Sequence, residues 1–222
     1  MRVIDTTLQV LRWPSALLAL LLLPGAGYAL WETLQALFAS PGEHVPFLTG
    51  LLGYLLAWRL LFRRRFLGSV FPTIEHELTH ALFAWLTGHR VTGFSATWSR
   101  GGHVRIAGGT NWLILLAPYF FPTLSALAIA ALWLVPTDWL YWTNVVLGAS
   151  VSYQLISTVR ETHLEQPDLK QAGFLFSACI LPTTNALAMG FVLGFVTEGS
   201  EGAASVFRRV GSYTLAMVSG WL

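Results

Sequence analysis

The sequence predicts an all-α polytopic membrane protein with six transmembrane helices, or seven if the last segment also spans, and one small β-hairpin. Hydrophobic residues make up 55% of the 222 residues and charged residues only 11%, whereas a soluble domain carries about 25% charged residues. Several apolar runs approach the ~20 residues that a spanning helix needs. Ten tryptophans and six tyrosines fit two interfacial belts. We expect a multi-pass protein of the bacterial inner membrane.

Charge and cysteine content exclude several classes of function. The formal net charge is only +2, which argues against nucleic acid as a partner because nucleic-acid-binding proteins carry a strong basic patch. Cys179 is the single cysteine of the sequence. An intrachain disulfide and a cysteine-based zinc site are therefore both excluded.

The first predicted span covers residues 13–38. Arg2 and Arg12 precede its apolar core, as in a signal peptide, but no small-residue cleavage site follows. We therefore expect a retained helix, with Pro24 as the point where it could break.

The second and third predicted spans cover residues 45–62 and 67–86. The second ends in the basic cluster Arg63, Arg64 and Arg65, which is typical of a topology signal and leaves the orientation of the chain open, since basic residues also follow on the opposite side. The third ends before Gly88, a residue type that commonly terminates helices.

A β-hairpin is predicted at residues 90–108, where Val, Thr, Phe and Trp alternate with small or polar residues. The pair Gly101-Gly102 is expected at its turn. Its backbone cannot lie bare in lipid, so the hairpin must lie at the interface or line a protein cavity.

Three more spans and a terminal stretch follow the hairpin. Prolines interrupt two of these spans, and Asn185 lies inside the last of them. The terminal stretch contains Arg208 and Arg209 and either lies along the interface or makes a short seventh span. These segments are residues 112–135, 139–159, 173–196 and 203–222. We expect one membrane domain over 1–222, with a core at 67–196, N-terminal helices at 1–66 and a C-terminal helix at 203–222.

The motif His76-Glu77-Leu78-Thr79-His80 lies inside the third predicted span. On a helix, residues i and i+4 share one face, so both imidazoles can bind one zinc ion. Glu77 can then act as general base toward a zinc-bound water. Ionisable residues are costly inside a bilayer and indicate function there.

A catalytic zinc site takes a third protein ligand and leaves one position for water. If spans four and five each cross once, the loop 160–171 returns to the side where span three ends. Asp168 follows Pro167 at a favourable helix start and is the favoured ligand, with His163 as the alternative. Any of His89, His103 and His163 that does not bind the metal is expected at the membrane interface. The candidates are Glu75, Glu77, His89, His103, Glu161, His163, Glu165 and Asp168.

This pattern resembles the site-2 proteases, which are intramembrane zinc metalloproteases, over about half the chain, residues 67–185. The resemblance implies that His76, His80 and Asp168 bind zinc and that Glu77 activates water. The matching pieces are the zinc motif with Ala81 and Gly88, the hairpin with Gly101-Gly102, the proline-bearing Leu116-Ala117-Pro118, and Asp168 about ninety residues after the motif.

The chain also departs from the family pattern. Leu169 and Lys170 follow Asp168 where many members have a glycine, and the run 119–122 replaces the asparagine that often follows the proline of the next span. No PDZ-type regulatory domain fits in this length. The chain is similar to a divergent, minimal branch of the family.

The expected function is zinc-dependent hydrolysis of a peptide bond in a membrane-spanning protein substrate, with Zn²⁺ as cofactor. The hairpin could hold an extended substrate segment as an added strand, and Gly101, Gly102 and Asn185 are candidate substrate contacts. The bilayer is an expected partner, and another membrane protein or a second copy of the chain is left open. The alternatives are a different membrane zinc hydrolase and a non-proteolytic scaffold or assembly factor of the same fold.

Overall fold

The computed structural model describes residues 2–62, 70–97 and 101–220. This part of the chain is mostly helical and contains one two-stranded antiparallel sheet. The basic cluster Arg63–Arg65 and the first residues of the predicted third span lie outside the described residues. The helices are α1 Arg2–Ala39, α2 Val45–Ala57, α3 Val70–Leu86, α4 Trp112–Leu116, α5 Thr123–Leu132, α6 Leu140–Glu161, α7 Pro167–Ala172 and α8 Phe174–Val218, and the strands are β1 Arg90–Thr97 and β2 Gly101–Ala107.

Among the described residues, three helices are long and apolar enough to cross a membrane. They are α1, α2 with its continuation to Phe62, and α8; α4 and α5 form a fourth candidate that is bent by 75°. Helix α6 is not among them, and it buries Ser150, Ser152 and Gln154 inside the bundle. These helices support an integral membrane protein, and the number of six or seven spans stays a prediction.

Helix α1 runs without interruption through Pro14 and Pro24, so the expected break at Pro24 is wrong. The helix packs along α8 through small side chains: Ala16 and Ala19 contact the first part of α8, and Ala26 and Ala29 contact the last part. Small residues let two helix backbones approach closely in a membrane. Helix α1 is thus in contact with both parts of α8.

Helix α8 is broken at Glu198 and Gly199, where the backbone leaves the helical region and Gly199 has φ +63°. A Cβ on Gly202 would lie 2.1 Å from the carbonyl oxygen of Gly194, so the chain folds back at this point. The predicted terminal stretch is therefore a separate helical arm, residues 200–218, that packs against the arm 174–197 and against α1.

Helices α2 and α6 pack backbone to backbone. A Cβ on Gly50 would lie 1.8 Å from the Val145 carbonyl oxygen, and a Cβ on Gly148 would lie 1.9 Å from that of Phe47. Ser152 also donates a hydrogen bond to the Leu51 carbonyl at 2.7 Å. This contact fixes α6, whose last residue reaches the functional site.

The predicted hairpin is present as β1 and β2, which pair antiparallel. Its glycine pair is not the turn, so that part of the prediction is wrong: Gly101 pairs with Thr97 and Gly102 with Ala96 at the start of β2, and the connection 98–100 lies outside the described residues. Glycine is required at position 102 for close packing of β2 on α3, because a Cβ there would lie 2.6 Å from Cγ of Glu77.

Candidate functional site

Helix α3 presents His76 and His80 on one face, as the spacing of four residues requires. Their Nε2 atoms lie 3.1 Å apart. Both side chains are largely withdrawn from solvent, with 13% and 9% of their surface exposed. Two nitrogen donors thus meet at one point inside the protein.

Asp168, the second residue of α7, brings a carboxylate to the same point. Its Oδ2 lies 3.4 Å from Nε2 of His76 and 3.4 Å from Nε2 of His80. A tetrahedral zinc ion with bonds of 2.0–2.1 Å has donor atoms about 3.3–3.4 Å apart. The three donor atoms therefore form a triangle of the size that one face of a zinc site requires, and these residues make up the candidate metal-binding group of the described chain.

The second nitrogen of each imidazole has its own acceptor. Nδ1 of His80 donates to the Ile114 carbonyl at 2.8 Å, and Nδ1 of His76 lies 2.9 Å from Oε2 of Glu161. A carbonyl accepts only, and a carboxylate facing an imidazole also accepts. Both protons are therefore placed on Nδ1, which leaves the two Nε2 lone pairs free for a metal.

Tyr119 supports the carboxylate of the triangle. Its hydroxyl donates to Oδ2 of Asp168 at 3.2 Å, and its ring packs edge-on against the His76 ring. A hydroxyl that donates to a carboxylate favours its ionised form. The ionised form of Asp168 is the one that binds a metal.

A cavity of about 550 Å³ opens beside the three donor atoms. Glu77 lies in its wall, with 7% of its surface exposed, next to both histidines along α3. Strand β2 forms another wall through Gly101, Gly102 and His103. The arrangement brings a glutamate carboxylate, three possible metal donors and an open cavity together in one place.

Other candidate residues lie elsewhere. His163 is exposed and its ring contacts Gln166, outside the donor triangle. Asn185 does not line the cavity; its amide donates to the carbonyls of Tyr119 and Leu181, both at 2.9 Å. A contact between Asn185 and substrate therefore stays a prediction.

The expected position of His89 at the membrane interface stays a prediction, and the structure shows that other parts of the protein cover its side chain. The residue is only 3% exposed and its Nε2 lies 3.2 Å from Oδ2 of Asp5, on the first turn of α1. Asn111 donates to the other oxygen of Asp5 at 2.9 Å. Asp5 covers the histidine, and the pair docks α1 onto the end of α3.

Sequence reasoning weighed Glu161 only as a metal ligand and noted Tyr119 only as a departure from the family pattern. In the structure, Glu161 contacts Nδ1 of His76 and the Tyr119 hydroxyl donates to Asp168. The sequence held a usable signal for Glu161, since it is a carboxylate at the end of a predicted span that returns to the side of the membrane where α3 ends. No signal in the sequence distinguished the Tyr119 hydroxyl.

One comparison with known proteins gives a match. A family model described as Peptidase M50B-like matches residues 47–163. The matched region includes α3 with the zinc motif, the hairpin and α6, and it ends before Asp168. No curated protein and no solved structure matches the chain significantly.

Proposed function

The chain belongs to the Peptidase M50B-like family of site-2 proteases, and from that premise we propose that it is a zinc-dependent intramembrane endopeptidase. Its substrate would be a membrane-spanning protein, and its place the bacterial inner membrane, crossed several times. The observation that carries the proposal is the triangle of donor atoms from His76, His80 and Asp168, which lies beside Glu77 and opens on a cavity.

The donor set suits zinc, which accepts imidazole nitrogen and carboxylate oxygen in catalytic sites and keeps one position open. His76 and His80 would hold the ion through Nε2, and Asp168 through Oδ2. Zinc bound there supplies Lewis acidity, which polarises a carbonyl and makes water a usable nucleophile near neutral pH.

Glu77 is the proposed general base. Its carboxylate lies in the cavity wall, next in sequence to His76 and three residues before His80. As the water oxygen attacks the peptide carbonyl carbon, the carboxylate takes the water's proton; it then gives that proton to the amide nitrogen as the C–N bond breaks. The two products are a carboxylic acid and an amine, and the acid then passes its proton to the amine or to solvent.

Strand β2 is the proposed guide for the substrate. A transmembrane helix hides its peptide bonds in its own hydrogen bonds, so it must unwind before attack. Within the described sheet β2 pairs with β1 on one side, and its residues line the cavity. An extended substrate segment would add to β2 as a third strand, beside Gly101 and Gly102, and the space around the Cβ position of Gly101 is open.

The test is cleavage of a transmembrane peptide by the purified full-length protein. We expect Glu77→Gln to lose at least a hundredfold in cleavage rate, the scale of a lost general base, while zinc content stays that of the wild type. The matched control is Glu165→Gln, because Glu165 is an exposed glutamate outside the cavity lining.

Three results would contradict the proposal. Equal cleavage by the wild type and Glu77→Gln would exclude the base, and full function of Glu77→Gln in cells would indicate a scaffold. Hydrolysis of lipids or small amides with intact peptides would indicate another membrane hydrolase.

A further inference from the structure

Glu161 is a partly buried acidic residue at the site that the proposed chemistry does not use. It is the last residue of α6, and its side chain is only 21% exposed. Oε2 lies 2.9 Å from Nδ1 of His76. The two residues are 85 positions apart in sequence, so only the packing of α6 beside α3 brings them together.

We propose that Glu161 is a positioning residue that sets the orientation and donor strength of His76. The proposal rests on the proposed function, since it concerns a histidine that binds zinc. A carboxylate that accepts from one imidazole nitrogen fixes the proton there, aims the other nitrogen at the metal and makes that nitrogen a better donor.

The carboxylate is itself held in place. Ser157, one helical turn earlier on α6, donates to Oε1 at 2.8 Å, so both oxygens of Glu161 have a partner. Helix α6 is fixed in turn by its close backbone contact with α2. Glu161 therefore reaches His76 from a rigid element, which a positioning role requires.

The geometry separates this role from that of a metal ligand. The two nitrogens of an imidazole ring point in different directions, and Glu161 faces Nδ1, whereas Asp168 faces Nε2 of both histidines. His80 has a neutral backbone carbonyl in the equivalent place. Of the two histidine donors, only His76 has a charged partner at Nδ1, so the effect of Glu161 is specific to that ligand.

Zinc affinity is the direct readout, measured by chelator competition on the full-length protein in detergent. We expect Glu161→Gln to bind zinc about 10–100-fold more weakly than the wild type, the scale found for such supporting partners. Glu165→Gln removes the same charge four residues later, from an exposed side chain, and should bind zinc as the wild type does. The cobalt-loaded Glu161→Gln protein should show altered visible absorption bands, and its metal-free melting temperature should stay unchanged.

The outcomes distinguish a failure of the proposed function from a failure of the proposed role of Glu161. If the wild type binds no zinc, the proposed function fails. If the wild type binds zinc and Glu161→Gln binds it equally well, the role of Glu161 fails alone. Complete loss of zinc in Glu161→Gln, as expected for Asp168→Ala, would make Glu161 a ligand and overturn the positioning role.

A second measurement needs no variant and keeps the proposal testable if Glu161→Gln does not fold. In wild-type protein loaded with ¹¹³Cd and labelled with ¹⁵N, we expect coupling of the metal to Nε2 of His76 and a proton on Nδ1. Coupling to Nδ1 of His76 would overturn the proposal.

Discussion

Asp168 supplies the carboxylate of the candidate metal site. The two imidazoles and the Tyr119 hydroxyl surround its Oδ2, at 3.4, 3.4 and 3.2 Å. His163, only five positions earlier on the same loop, is turned toward Gln166. The short helix α7, which begins at Pro167, thus directs Asp168 toward the histidines, whereas His163 stays exposed to solvent.

Substitution of these two residues tests the third ligand. We expect Asp168→Ala to lose most bound zinc, because two imidazoles alone do not complete a catalytic site, and His163→Ala to keep it. Metal analysis of both purified proteins beside the wild type measures this. Zinc retained by Asp168→Ala and lost from His163→Ala would reverse the assignment.

The hairpin is the element that closes the site over Glu77. Strand β2 crosses α3 so closely that a Cβ on Gly102 would lie 2.6 Å from Cγ of Glu77 and 2.7 Å from Cγ2 of Thr73. Contacts under 3 Å require something to shift. Glycine at position 102 therefore lets the strand lie on the face of α3 that carries Glu77.

The expected result of Gly102→Ala follows from this contact. The added methyl group displaces either Glu77 or the strand, so we expect at least a tenfold loss of peptide cleavage, consistent with the sensitivity of catalysis to displacements of about 1 Å. Zinc content should be unchanged, since neither histidine is touched.

Gly93→Ala is the matched control on strand β1. Its Cβ would meet only the flexible Arg105 side chain, at 3.4 Å or more, and we expect cleavage close to the wild-type rate. Wild-type cleavage by Gly102→Ala would show that β2 does not constrain the base.

The whole molecule is held by two helix pairs, α1 with α8 and α2 with α6. The first pair includes an Arg12 side chain that donates to the Ala172 carbonyl, at the end of the short helix that carries Asp168. The second pair places Glu161 beside His76. Both sides of the metal site therefore depend on contacts that lie far from it along the chain.

Two glycines of α2 should respond in opposite directions. Gly50→Ala pushes a methyl group into the α6 backbone, where its Cβ would lie 1.8 Å from the Val145 oxygen, and overpacking of this kind costs about 1–3 kcal/mol. Gly53 has open space around its Cβ, so Gly53→Ala should be neutral or stabilising by up to ~1 kcal/mol through helix propensity.

Thermal unfolding in detergent compares the two alanine variants with the wild type. Equal melting temperatures for Gly50→Ala and Gly53→Ala would contradict the close packing of α2 on α6.

The sequence by itself determined the local features of this protein. The spacing of His76, Glu77 and His80 gave the zinc motif, and alternation at 90–108 gave the hairpin, because both depend on the fixed periods of helix and strand. Apolar runs located the helices, although their hydropathy does not establish how many cross the membrane.

Only the tertiary structure decided what depends on packing between distant segments. It brought Asp168 and not His163 to the histidines, placed Glu161 and Tyr119 behind the donors, and put Gly102 on Glu77 instead of in a turn. Such contacts join residues tens of positions apart, and no local period encodes them. They arise because close backbone contacts between helices, as at Gly50 and Gly148, set the positions of the helices and therefore of the side chains that they carry.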